Sequence, residues 1–147
     1  MKGPRDIYVP AIDPAAIAGP SPQIFAAMGR DNIYRMIEDL YREIGESTIR
    51  AMFPQDLAVS SRKSAAFFVQ LLGGPQEYSE RFGPPRMRAR HLAFTITPAA
   101  RDAWLACFER VLAHAVADFA FPADQVEGFR AFLQRFSSWM VNDAGTP

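Results

Sequence analysis

The run Arg86-Met87-Arg88-Ala89-Arg90-His91-Leu92-Ala93-Phe94 sets three arginines at alternate positions before one of the chain's two histidines. Near neutral pH an imidazole can carry a proton or ligate a metal, and guanidinium groups bind anions. What the chain lacks narrows the chemistry open to His91. Zinc asks for three or four protein ligands, whereas Cys107 is the single cysteine and His114 the only other histidine. A metal that needs just one protein ligand is iron held in a porphyrin, whose four nitrogens occupy the equatorial positions. The plainer alternative is a histidine that only satisfies a hydrogen bond, and the residues by themselves leave both open.

A flat cofactor would also need apolar walls and cations for its carboxylates. Twelve phenylalanines and two tryptophans are a generous supply for 147 residues. Phe53, Phe68, Phe94 and Trp104 are candidate walls, and Lys63 and Arg90 candidate partners for two propionates. Ordinary core accounts for the aromatics equally simply, and a solvated face for the arginines.

Such a site must sit in one core, because 147 residues make one domain of ordinary size. Sixteen basic residues balance sixteen acidic ones, so the chain has no general attraction for nucleic acid, and the three arginines alone make a weak case for it. One cysteine excludes an intrachain disulfide and suits a reducing compartment. The first twenty residues carry four prolines and two aspartates, which argues against a secretory or membrane segment and for a cytoplasmic protein without membrane partners. Residues 1–21 read as a proline-rich extension, ordered arm or loose tail. The domain proper spans 22–143, and 144–147 form a tail.

The positioning elements read as helices throughout. Ser21-Pro22 opens a short apolar turn ending at Gly29, and Ile33, Met36, Ile37, Leu40, Tyr41 and Ile44 then form one stripe stopped by Gly45. That stripe turns Tyr41 inward. A second helix runs from about Leu57 to Leu72, with Ser64, Phe67, Phe68 and Leu71 on one face and Gly73-Gly74-Pro75 at its end. The glycine- and proline-rich segment 73–85 is expected to hold no regular element. Thr97-Pro98 starts a third long helix with Trp104, Cys107, Phe108, Val111 and Ala115 on one side, broken by Phe121-Pro122. The last helix covers about Asp124 to Asn142. With no strand alternation and no repeat, the class is all-α.

Taken in order, Phe53-Pro54, Gly73-Gly74-Pro75 followed by Tyr78, Arg88-Ala89-Arg90-His91 and Arg101-Asp102-Ala103-Trp104-Leu105 resemble the second group of the truncated haemoglobins, with Leu40-Tyr41 where that family has its distal tyrosine. The resemblance covers about residues 22–143. It implies a shortened globin in which two helix pairs clasp haem b, one per chain, as a two-over-two sandwich. His91 then matches the proximal iron ligand, and Tyr41 and Trp104 the distal donors to a bound diatomic ligand. Phe53 matches the aromatic residue against the porphyrin. Lys63, Tyr78 and Arg90 match positions that meet the propionates, and Leu57, Phe68, Met87 and Phe94 match pocket walls. Ser60 and Ser64 fall where relatives often carry other residues facing the ligand, although Ser60 is equally placed to cap its helix. Pro84 stands where relatives usually have a histidine.

The implied function is a haem protein that binds dioxygen and other small ligands, as monomer or homodimer, with oxygen transport among its roles. Haem-dependent chemistry on nitric oxide or peroxide, fed by an electron donor, is the alternative within the family. A haem-free helical interaction domain is the alternative outside it.

Overall fold

Gly73, just past the second helix, fits where a larger residue would not. In the computed structural model, which describes residues 6–145, a Cβ on Gly73 would stand 2.4 Å from the Pro22 carbonyl oxygen, and its φ is +106°. At Gly74 a Cβ would meet the Phe25 ring at 2.7 Å. Between these close approaches the Phe25 amide donates to the Leu72 carbonyl at 2.9 Å. The end of helix α2 (Leu57–Leu71) is thereby fastened to the start of helix α1 (Gln23–Gly45).

Helix α1 kinks at Gly29, where φ is 77°, as the short turn ahead of the apolar stripe anticipates. Beyond it Ile33, Met36, Ile37, Leu40 and Ile44 are at most 1% exposed. They pack α1 against α2 and against α5 (Pro98–Phe119). Asp56 Oδ1 caps α2 by accepting from the Ala58 amide at 3.0 Å, and Thr97 Oγ1 caps α5 through the Ala100 amide at 3.1 Å. Helix α5 ends at Phe119, ahead of the expected Phe121-Pro122 break. Ala120 takes the left-handed conformation at φ 55°, and the buried Phe121 closes the turn on Ala115. Helix α6 (Val126–Met140) buries Phe129, Phe132 and Leu133 and pairs with α5. Two helix pairs, α1 with α2 and α5 with α6, thus stack through the α1–α5 contact, and no strand occurs among the described residues.

The expectation for residues 73–85 needs correction, because helix α3 (Glu77–Phe82) crosses them. Tertiary anchors override the glycines and prolines here. Tyr78 is 2% exposed and meets Phe67 edge-on at 5.9 Å. Gln70 bonds Ser79 twice, Nε2 donating to Oγ at 2.8 Å and Oε1 accepting from the amide at 2.9 Å. Glu77 receives Arg30 through two bonds of 3.0 and 2.8 Å and the Tyr34 hydroxyl. A five-residue helix α4 (Met87–His91) follows and packs on α6.

Of the proline-rich extension, residues 6–21 are described, and they touch the rest of the chain near its end. The Tyr8 amide donates to the Asn142 carbonyl at 2.9 Å, and Pro14–Ala16 form a single 3-10 turn. Among the described residues no helix is long and apolar enough to cross a membrane.

Candidate functional site

All six helices contribute to one cavity of about 340 Å³. From α1 comes Tyr41, from α2 Ser60, Lys63, Ser64 and Phe68, from α3 Tyr78, from α4 Met87, Arg90 and His91, and from α5 Trp104. Phe53 and Phe94 complete the set from the connecting segments. Of the residues singled out from sequence, only Leu57 is not in the lining. As the first residue of α2 it leans on the end of α1, its Cδ1 lying 3.4 Å from where a Cβ on Gly45 would stand. Ser60 lines the cavity and leaves helix capping to Asp56.

His91 has one ring nitrogen committed. Nδ1 stands 2.6 Å from the carbonyl oxygen of Met87, one turn earlier in α4. A carbonyl oxygen only accepts, so Nδ1 carries a proton, and in the neutral ring Nε2 is then the atom with the lone pair. Among the described residues no cluster of three or more histidine, cysteine, aspartate or glutamate side chains offers a conventional metal site. His91 is the one imidazole in the lining, and it suits a metal whose other ligands arrive with it.

Tyr41, Ser60, Ser64 and Trp104 bring polar groups to the same cavity. Burial pushes the Tyr41 phenol above its ordinary value, an effect the Ser64 side chain partly offsets by hydrogen bonding to it. Tyr41 therefore keeps its proton at neutral pH and remains a donor. Its ring meets Phe53 edge-on at 5.7 Å, and Trp104 meets Phe108 likewise at 5.3 Å, so both large rings are held by aromatic neighbours.

The basic residues divide in an unexpected way. Arg90 lines the cavity, but its Nε donates to the Pro85 carbonyl at 2.6 Å and its Nη2 to those of Phe82 and Pro84 at 2.7 and 2.9 Å. It clamps the loop that leads into α4. Arg88 turns the other way, donating to the carbonyls of Trp139, Val141 and Tyr8. Two of the three alternating arginines thus satisfy backbone oxygens from opposite sides of α4. Lys63 lies with Nζ 5.0 Å from the centre of the Phe82 ring.

Some lining residues were not legible as such. Phe136, Ser137 and Met140 of α6 reach the cavity, and the helical spacing of Val126, Phe129, Phe132, Leu133, Phe136 and Met140 in the sequence places Phe136 and Met140 only on a general apolar side. Arg101 also lines it, with Nε bonded to Ser137 Oγ at 3.0 Å. Asn142, wholly buried, donates through Nδ2 to the carbonyls of His91 and Phe94 at 3.1 and 3.0 Å. No local pattern in the sequence signals that contact.

Comparison with known proteins adds three kinds of likeness. The profile of the bacterial-like globin family matches residues 23–142. A group 2 truncated haemoglobin of Bacillus subtilis, YjbI, is 36% identical over 91 residues, which cover 61% of this chain and 69% of that protein. Among solved structures, phosphate-bound Hell's gate globin IV superposes with a TM-score of 0.79 at 32% identity, covering 99% of this chain and 88% of that one. The truncated oxygen-avid haemoglobin of Bacillus subtilis gives 0.74 at 32% identity, covering 83% and 99%.

Proposed function

Because this chain belongs to the bacterial-like globin family and is a truncated haemoglobin of its second group, we propose that it binds one haem b through His91 and takes up dioxygen there. The observation that carries the reading is the His91 ring, whose Nδ1 is engaged by Met87 and whose Nε2 is left as a lone-pair donor in an apolar cavity. Haem, when bound, supplies an iron able to hold dioxygen or another small ligand.

Each surrounding residue has a task in this reading. The Met87 carbonyl fixes the tautomer and rotation of the His91 ring. Phe53, Phe68, Met87 and Phe94 present flat or flexible apolar surface and exclude water. Lys63 supplies charge for a propionate, and Arg90 has Nη1 still to offer while its other nitrogens hold the loop. The Tyr41 hydroxyl and the Trp104 indole N–H donate to partial negative charge on a diatomic ligand, each bond worth about 1 kcal/mol net. Ser64 orients the Tyr41 hydroxyl, and Ser60 adds a second small hydroxyl on the same helix. That a structural relative from Bacillus subtilis is an oxygen-avid haemoglobin supports the choice of dioxygen.

The test is an absorbance scan of protein from haem-supplied cells, reduced and then cycled between air and argon. A Soret band of one haem per chain that shifts reversibly with oxygen is expected. Protein that purifies without haem and takes up none overturns the reading in favour of a haem-free helical domain.

A further inference from the structure

We propose that Asn142 is a positioning residue for His91, setting from behind the angle at which the imidazole meets iron. The inference rests on the reading of His91 as the iron ligand. Helix α4 has only five residues and ends on His91 itself, whose carbonyl accepts one bond from the Phe94 amide at 3.0 Å and has a second lone pair to offer. Asn142 supplies a donor there. Its Nδ2 bonds the His91 carbonyl at 3.1 Å and the Phe94 carbonyl at 3.0 Å, while its Oδ1 accepts from the Ile96 amide at 3.0 Å. One side-chain amide thus ties the end of α4 to two residues of the segment that leads toward α5.

Position 142 is 0% exposed. A buried amide is costly unless its hydrogen bonds are made, and an apolar side chain would serve if packing were the only need. The backbone of Asn142 is fixed too, its amide bonding the Ile96 carbonyl at 3.0 Å and its carbonyl accepting from Tyr8 at 2.9 Å. Arg88, three residues before His91, grips the adjoining Val141 carbonyl at 2.9 Å and the Tyr8 carbonyl at 2.8 Å. Beside the local bond from the Phe94 amide, His91 is consequently held by two further contacts, its ring by Met87 within α4 and its carbonyl by the Asn142 side chain beyond α6. Releasing the second hold lets the end of α4 shift and turns the ring with it.

The experiment uses the ferrous holoprotein and two variants, Asn142→Asp and Asn142→Ser. Asp keeps an acceptor for the Ile96 amide but points oxygen at the two carbonyls, and Ser is too short to span them. Resonance Raman reads the iron–histidine stretch, and transfer of haem to excess apomyoglobin reads its release. Ile33→Val, altered in the α1 core outside the cavity, is the control for lost stability alone. Both Asn142 variants are expected to shift and broaden the iron–histidine band and to release haem roughly tenfold faster, while Ile33→Val moves neither. Variants that melt lower yet keep the wild-type band and release rate overturn this inference and leave His91 as the ligand. A wild-type protein with haem but no iron–histidine band overturns the reading of His91, and the inference with it.

Discussion

The Nδ1 atom of His91 lies 2.6 Å from the carbonyl oxygen of Met87, four residues earlier in the same short helix. That contact decides the chemistry of the ring. In the neutral ring it puts the lone pair on Nε2, and it restricts rotation about the bond joining the ring to Cβ, so that lone pair is presented in one direction. The helix itself is positioned by Arg90, which clamps the loop before it, and by the long-range contact of Asn142 with the chain after it.

Trp104 lines the cavity in the same helix face as Phe108. Replacing it with Phe keeps the aromatic wall and removes the indole N–H. Oxygen release from the Trp104→Phe protein should be faster by about fivefold, the kinetic equivalent of roughly 1 kcal/mol. Stopped-flow displacement of oxygen by carbon monoxide measures it, and an unaltered rate removes Trp104 from the ligand's partners.

Ser64 acts through Tyr41. Its hydrogen bond opposes the upward push of burial on the phenol, and a hydroxyl that accepts one bond donates the next more strongly. Ser64→Ala should therefore raise the Tyr41 ionisation further and speed oxygen release by a factor of about two to five. A phenol titration unmoved by the substitution, followed by ultraviolet difference absorbance, contradicts the pairing.

Glu77 gives the fold an acid-sensitive joint. Hydrogen bonds from Arg30, then from Tyr34, hold its carboxyl below the ordinary value of 4.5 despite partial burial. A depressed carboxylate contributes stability that is complete above the unfolded value and is lost as pH falls through the folded one. Glu77→Gln should cost about 1–2 kcal/mol at pH 7, given that Arg30 is half exposed. The melting difference between variant and wild type should then shrink below pH 4.5. A difference constant from pH 7 to pH 3 would falsify the assignment.

Gly73 is required both by its φ of +106° and by the Pro22 carbonyl that a Cβ would meet at 2.4 Å. Gly73→Ala should lower unfolding free energy by about 3 kcal/mol, combining backbone strain with overpacking. Urea denaturation gives the number, and a loss under 1 kcal/mol contradicts so tight a junction between α1 and α2.

The sequence is most legible where its signals are local. The apolar stripe from Ile33 to Ile44 announces α1, Thr97-Pro98 announces α5, and the ordered motifs single out His91, Tyr41 and Trp104, all of which line one cavity. It is least legible where distant contacts override local preference. Helix α3 forms among glycines and prolines because Tyr78, Ser79 and Glu77 are anchored from α1 and α2. Alternating arginines read as a solvated face or a cofactor rim, yet Arg88 and Arg90 are spent largely on carbonyl oxygens. Asn142 meets His91 across 51 positions of chain, a separation no periodicity can encode.

The central claim, that His91 alone joins this protein to iron, is tested most directly by titrating haem into the apoprotein of His91→Gly, with and without added imidazole. The account predicts a wild-type Soret titration ending at one equivalent, weak uptake by the variant, and recovery of the histidine-type spectrum when imidazole fills the space. A variant that takes up haem with wild-type affinity and spectrum in the absence of imidazole contradicts it.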